Sequence, residues 1–147
     1  MPRPLTSFVP AVLLLVLLGA CTGGSGIHKE VINPSGGEIT TPFSPIVRTG
    51  DLLFLSGVIG RSTNGDIGAA TRQALEGIRS RLEAADATMD DVVKCTVFLV
   101  DMDDYQGMNE VYAEFFPPPA PPARSAIAVR ALPASAQIEI ECIAATR

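Results

Sequence analysis

The chain has 147 residues, with 11 basic and 16 acidic side chains and a net charge of −5. An acidic chain without a Lys/Arg run is a poor partner for nucleic acid, because neutralised phosphates supply most non-specific affinity. A single histidine, His28, and the absence of a C-x-x-C pair argue against zinc. With no tryptophan and few aromatics, Val, Ile, Leu and Ala must build the core.

At the N-terminus, Arg3 gives a thin positive region, and Ala11 to Leu18 form an apolar run too short to span a bilayer as a helix. Leu18-Gly19-Ala20-Cys21 resembles a bacterial lipobox. We therefore expect a lipoprotein signal peptide over residues 1–20, cleavage before Cys21 and lipidation of that cysteine. Thr22 in place of an aspartate then favours the outer membrane of the cell envelope. The competing expectation is an ordinary cleaved signal and a soluble secreted protein. Residues 21–28, with Thr22-Gly23-Gly24-Ser25-Gly26, read as a flexible tether. Losing the leader removes Arg3 and no acid, taking the charge from −5 to −6. The remaining 29–147 suit one domain of roughly 120 residues with a single core.

Within that domain, Val31-Ile32 reads as a first short strand. Ile46–Arg48 and Leu52–Ser56 flank Thr49-Gly50-Asp51, a hairpin signal. Asn64-Gly65-Asp66 breaks the chain and caps the next element. Ile67, Thr71, Ala74, Leu75, Ile78 and Leu82 recur at three- and four-residue steps, predicting an amphipathic helix that ends near Ala85. Its outer face carries Arg72, Glu76, Arg79 and Glu83, read as solvated. Val92 to Val100 is nearly continuously apolar, which predicts a central strand covered on both faces. Asp101 and Asp103 precede a second helix, where negative charge complements the dipole. Asp101-Met102-Asp103-Asp104 lacks the glycine and terminal glutamate of a calcium loop. Tyr105, Met108, Tyr112 and Phe115 form the second helix's inward stripe. Phe116 to Pro122 is a stiff connector, and strands come next at Ala123–Ile127 and Gln137–Glu141. The order β-β-β-α-β-α-β-β predicts an α+β fold: one mixed sheet with two helices packed on one face. Cys95 and Cys142 both fall in strands. They are either a disulfide, if those strands are neighbours, or two buried small hydrophobes.

The chemistry concentrates between residues 122 and 141. Pro122-Ala123-Arg124-Ser125 places an arginine at a strand start, and Ile138-Glu139-Ile140-Glu141 places carboxylates on one face of the next strand. A guanidinium and a carboxylate at adjacent strand ends can clamp an anion and activate a water beside it. These segments resemble the signature of the Rid family, the reactive intermediate deaminases of the RidA/YjgF type. Ser56-Gly57, Thr71-Arg72-Gln73-Ala74-Leu75, Val92–Phe98 and Asn109–Phe116 extend the resemblance over Glu30 to Ala144.

The resemblance implies a chorismate-mutase-like fold, a homotrimer with clefts between subunits, and hydrolysis of 2-imino or 2-enamino acids such as 2-aminoacrylate to a 2-keto acid and ammonia. It implies no metal and no organic cofactor. The implied catalytic pair is Arg124, which also binds the substrate carboxylate, and Glu139, which holds the attacking water. Phe43, Gly57, Asn109 and Ala126 would line the substrate. Glu141 is the alternative acid, and the Ile-Glu-Ile step selects Glu139. Two departures make the pocket more apolar: phenylalanine in Pro42-Phe43-Ser44 where the family often has tyrosine, and Val58 where many members have glutamine. The connector before Arg124 is also proline-dense and slightly short for the family. A second reading is a non-catalytic envelope lipoprotein that captures small carboxylates in the same clefts.

Overall fold

The computed structural model describes residues 28–146, so the expected signal peptide, Cys21 and nearly all of the tether lie outside the described residues. Six strands and two helices occur in the anticipated order: β1 (Glu30–Ile32), β2 (Ile46–Thr49), β3 (Leu52–Gly60), α1 (Ile67–Glu83), β4 (Val92–Leu99), α2 (Tyr105–Phe115), β5 (Ala123–Ala128) and β6 (Ile138–Ala145). They form one sheet in the order β1-β2-β3-β6-β4-β5. Every pairing is antiparallel except β4 with β5, which run parallel. The fold is therefore α+β with a mixed sheet.

Local chemistry sets the element boundaries. Gly50 supplies the positive φ (54°) that turns β2 into β3. Asp66 caps α1 by accepting from the Ala69 amide at 3.1 Å. The helix then buries Ala70, Thr71, Ala74, Leu75, Ile78 and Leu82. Five of these lie on the stripe that periodicity predicts, while Ile67 at the first turn is only partly buried and Ala70 takes its place in the core. It seats closely on β3 because Gly60 has no Cβ; a methyl there would overlap the Ala70 backbone. The two helices are also joined by an Arg72–Glu114 ion pair at 2.6 Å, and the Arg79 guanidinium lies 4.7 Å from the Phe115 ring centroid. The outer charges of α1 thus reach α2 as well as water. Exposed pairs of this kind contribute little to stability.

Alternation along the strands separates two faces. On β6, Ile138, Ile140, Cys142 and Ala144 point into the core beneath the helices, while Glu139, Glu141 and Ile143 point away. On β4, Cys95, Val97 and Leu99 are fully buried, and Lys94, Thr96 and Phe98 face outward with partial exposure. Its apolar run suggested cover on both faces, yet one chain supplies helices on one face only. The other face keeps Leu52, Phe54, Val93 and Ile127 exposed. Tyr105 also departs from expectation: it is not part of the buried stripe of α2 but lies exposed at the first turn, because a short 3-10 turn at Met102–Asp104 leads into the helix.

Cys95 and Cys142 stand opposite each other in the β4–β6 ladder, with Cα atoms 4.1 Å apart, and are disulfide-bonded. The bond closes a segment with a sequence separation of 47 residues, so it should restrict the unfolded chain considerably. Reduction, or replacement of both cysteines by alanine, is expected to lower the unfolding free energy by about 2–4 kcal/mol. Denaturant titration with and without reductant checks this; coincident curves would contradict it.

Candidate active site

Glu139 is set into its surroundings by an irregularity in the neighbouring strand. The β3–β6 register slips between Leu55 and Val58, a bulge that leaves Ser56 and Gly57 outside the regular ladder. Glu139 pairs with Ile59 just beyond it. Its side chain folds back over Gly57, and a Cβ at residue 57 would overlap the carboxylate. Glycine is therefore required here by close approach rather than by backbone angle. Ser56 anchors the preceding loop by donating from Oγ to the Ser44 carbonyl at 2.7 Å, and Thr41 Oγ1 donates to the Phe43 carbonyl at 2.7 Å. These bonds hold Phe43 at the rim. Phe43, Gly57, Val58, Ile59, Pro133 and Glu139 then line a cavity of about 420 Å³.

The cation beside this carboxylate is Arg81. It extends from α1 to the bulge and donates to the carbonyls of Ser56 and Gly57. Arg81 also lines the Glu139 cavity. Burial lowers its pKa from the usual arginine value, and the negative charge of Glu139 pulls it back up. Sequence reading missed Arg81. The available signal was its position one residue before Leu82, a flank of the buried stripe on which a charge needs a polar partner.

Arg124 occupies a different setting. It pairs in register with Cys95, so it lies on the helix-covered side of the sheet. Its guanidinium lies against α2, donating from NH2 to the Tyr105 hydroxyl at 3.2 Å and contacting Met108 Sδ at 3.7 Å. It also stacks over the Tyr112 ring, 4.6 Å from the centroid, and lies 5.6 Å from that of Tyr105. Ala126 lies two residues on, on the same face and packed against the core. Asn109 lies one helical turn from Tyr105 and is half-buried, on the α2 face that meets Arg124.

The anticipated meeting of Arg124 and Glu139 at adjacent strand ends therefore does not occur within one chain. β4 lies between β5 and β6. Glu139 pairs with Phe98 on the open face, while Arg124 pairs with Cys95 on the other. Two half-sites result: Phe43, Gly57, Glu139 and Arg81 on one, and Arg124, Asn109 and Ala126 on the other. Glu141 joins neither. It shares a separate depression of about 290 Å³ on the open face with Lys94 and Thr96. Among the described residues, no cluster of three or more His, Cys, Asp or Glu side chains is arranged to hold a metal ion.

The protein is thus a small α+β domain with an acid over a glycine bulge on one sheet face and an aromatic-clamped arginine on the other. Residues 37–146 match the family model described as Endoribonuclease L-PSP, and the chain belongs to that family, the Rid/YjgF group. A RutC family protein of Pyrococcus horikoshii is 47% identical over 123 residues, covering 79% of this chain and 97% of the relative. The chloroplastic Reactive Intermediate Deaminase A of Arabidopsis thaliana is 39% identical, covering 82% of this chain and 67% of that protein. A Dermatophagoides farinae protein named 2-iminobutanoate/2-iminopropanoate deaminase is 40% identical, covering 78% and 94%. Among solved structures, a Rid-family protein of Yersinia pestis superposes with a TM-score of 0.73 at 33% identity, covering 81% of this chain and all of that one.

Burial of the Tyr112 phenol beneath Arg124 has a consequence at high pH. Burial pushes the Tyr112 phenol up to about 12, with the Arg124 charge acting in the opposite direction. The unfolded chain releases this proton near the usual value of 10.0, while the folded chain retains it to about 12. Stability is thus intact below the unfolded value and lost as pH rises through this window. Denaturation midpoints should fall between pH 10 and 12, with Tyr112→Phe showing a smaller fall; parallel behaviour of the two proteins would contradict the assignment.

Proposed function

We propose that this chain is a hydrolytic deaminase of small 2-imino and 2-enamino acids, converting them to 2-keto acids and ammonia. The deaminase names carried by the Arabidopsis and mite relatives support the reaction class. The observation that carries the mechanism is the separation of Arg124 from Glu139 on opposite sheet faces, together with an apolar open face that one chain leaves uncovered. Copies packed in a ring by that face bring the Glu139 half-site of one chain against the Arg124 half-site of the next. A closed homotrimer is the assembly this reading adopts.

In that cleft, Arg124 binds the substrate carboxylate with a planar fork of donors that lysine cannot reproduce. Tyr105 and Tyr112 hold the guanidinium flat. Water held by Glu139 adds to the C=N carbon, its oxygen bonding to carbon while its proton passes through the carboxylate to nitrogen. The resulting carbinolamine expels ammonia and leaves the keto acid. A protonated imine is already electrophilic, so the reaction as written calls on no further group. Phe43, Val58, Ile59 and Pro133 give the cavity an apolar wall beside the carboxylate.

Keto-acid formation from enzymatically generated imines tests the reaction. Arg124→Ala and Glu139→Gln should each lose about a hundredfold or more, in line with about 2–5 kcal/mol for removing one partner of a buried charged contact. Mixing the two inactive variants distinguishes a shared site from a single-chain site. Random co-assembly in a ring regenerates intact clefts at about a quarter of positions, so activity should recover to that order. No recovery on mixing would remove the intersubunit site, and carboxylate binding without turnover would replace catalysis by capture.

We also propose that Cys21 is lipidated and tethers the domain to the cell envelope. An oxidising compartment agrees with the Cys95–Cys142 disulfide. Cys21→Ser is expected to move the protein from the membrane fraction to the soluble fraction; unchanged fractionation would contradict the anchor.

A further inference from the structure

The bulge that carries Gly57 has a support that belongs to neither the sheet ladder nor the expected reactive pair. At a bulge, backbone carbonyls leave the ladder and need other donors. Arg81 provides one from the helix layer, its NH1 donating to the carbonyls of Ser56 and Gly57. The Glu139 carboxylate rests directly over Gly57. Placing a long, flexible cation there has a cost, because burial disfavours its charged form. An apolar side chain at this point of α1 would avoid that cost but leave the carbonyls without this donor. Arg81 therefore joins three things at one point: the helix, the bulge and the charge environment of the acid.

We propose that Arg81 is a positioning residue for the reaction assigned above: it fixes the β3 bulge beneath Glu139 and holds a positive charge beside that carboxylate. The inference rests on the deaminase reading for its kinetic part only. Arg81 acts through Glu139 and the backbone of residues 56 and 57, and it makes no claim on the substrate carboxylate, which Arg124 binds from the other half-site. Its loss should therefore separate turnover from binding. A residue needed only for folding would reduce both together.

The full-length Arg81→Met and Arg81→Lys proteins are compared with wild type in three measurements. These are kcat with enzymatically generated imine, the inhibition constant of pyruvate as a stable keto-acid probe, and amide hydrogen exchange over residues 56–59. Arg81→Met should lower kcat tenfold or more and leave the pyruvate constant within about twofold. Exchange at residues 56–59 should quicken while amides of β4 and β6 stay protected. Arg81→Lys, which keeps the charge and a donor nitrogen but loses the planar fork, should recover part of kcat. Unchanged kcat in Arg81→Met, or parallel loss of kcat, pyruvate binding and core protection, would overturn the proposal. If wild type proves inactive on imines, the deaminase reading falls. The bulge-fixing role is then decided by exchange alone: local quickening sustains it, and unaltered exchange at residues 56–59 refutes it.

Discussion

Side chains on a strand alternate between faces, and a hydrogen-bonded neighbour in register presents its own to the same face. In this sheet β4 separates β5 from β6, and Arg124 is registered with Cys95 while Glu139 is registered with Phe98. The core claims Cys95, Val97, Ile138 and Ile140, which commits Arg124 to the helix side and Glu139 to the open side. Neither residue can change face without turning a strand inside out, because a one-residue slip would exchange the whole apolar set for the polar one. On the function proposed above, groups with this parity would meet only across a boundary between chains, and the exposed Leu52, Phe54, Val93 and Ile127 offer an apolar surface for such a boundary.

Each half-site is prepared by a different physical device. On the Arg124 side the device is aromatic: Tyr105 and Tyr112 meet the guanidinium, and Met108 fills the gap. A planar cation held by ring faces loses little further freedom on binding a carboxylate. On the Glu139 side the device is an absence. Gly57 lets a carboxylate lie directly on the backbone of β3, and the bulge frees two carbonyls that Arg81 takes up. The disulfide between β4 and β6 ties together the strand next to Arg124 and the strand that carries Glu139.

Family membership leaves room for differences in the pocket wall. Phe43 presents a ring without a hydroxyl at the rim, and Val58 turns toward Gly77, whose missing side chain makes room for it. A cavity with such a wall rewards substrates whose side chains shed water easily. The net negative charge disfavours polyanions such as nucleic acid.

Much of the fold is legible from residues alone. The periodicity of Ile67 to Leu82, the cap at Asp66, the Gly50 turn and the alternation of β6 are local, and local propensity agrees with the final fold at each. Tyr105 departs from its expected place because helical spacing cannot tell a first exposed turn from a buried one. β4 departs because an apolar run does not say which of its faces the same chain will cover. Cys95 and Cys142 can be paired only once strand order is known, since they lie at a sequence separation of 47. The sequence by itself determined the elements, the α+β class and the chemical types of the side chains at the candidate site, all of which depend on near neighbours. Tertiary structure decided the disulfide, the Arg81 support beneath Glu139 and the parity that sets Arg124 apart from it, because these depend on which strands lie side by side and in what register.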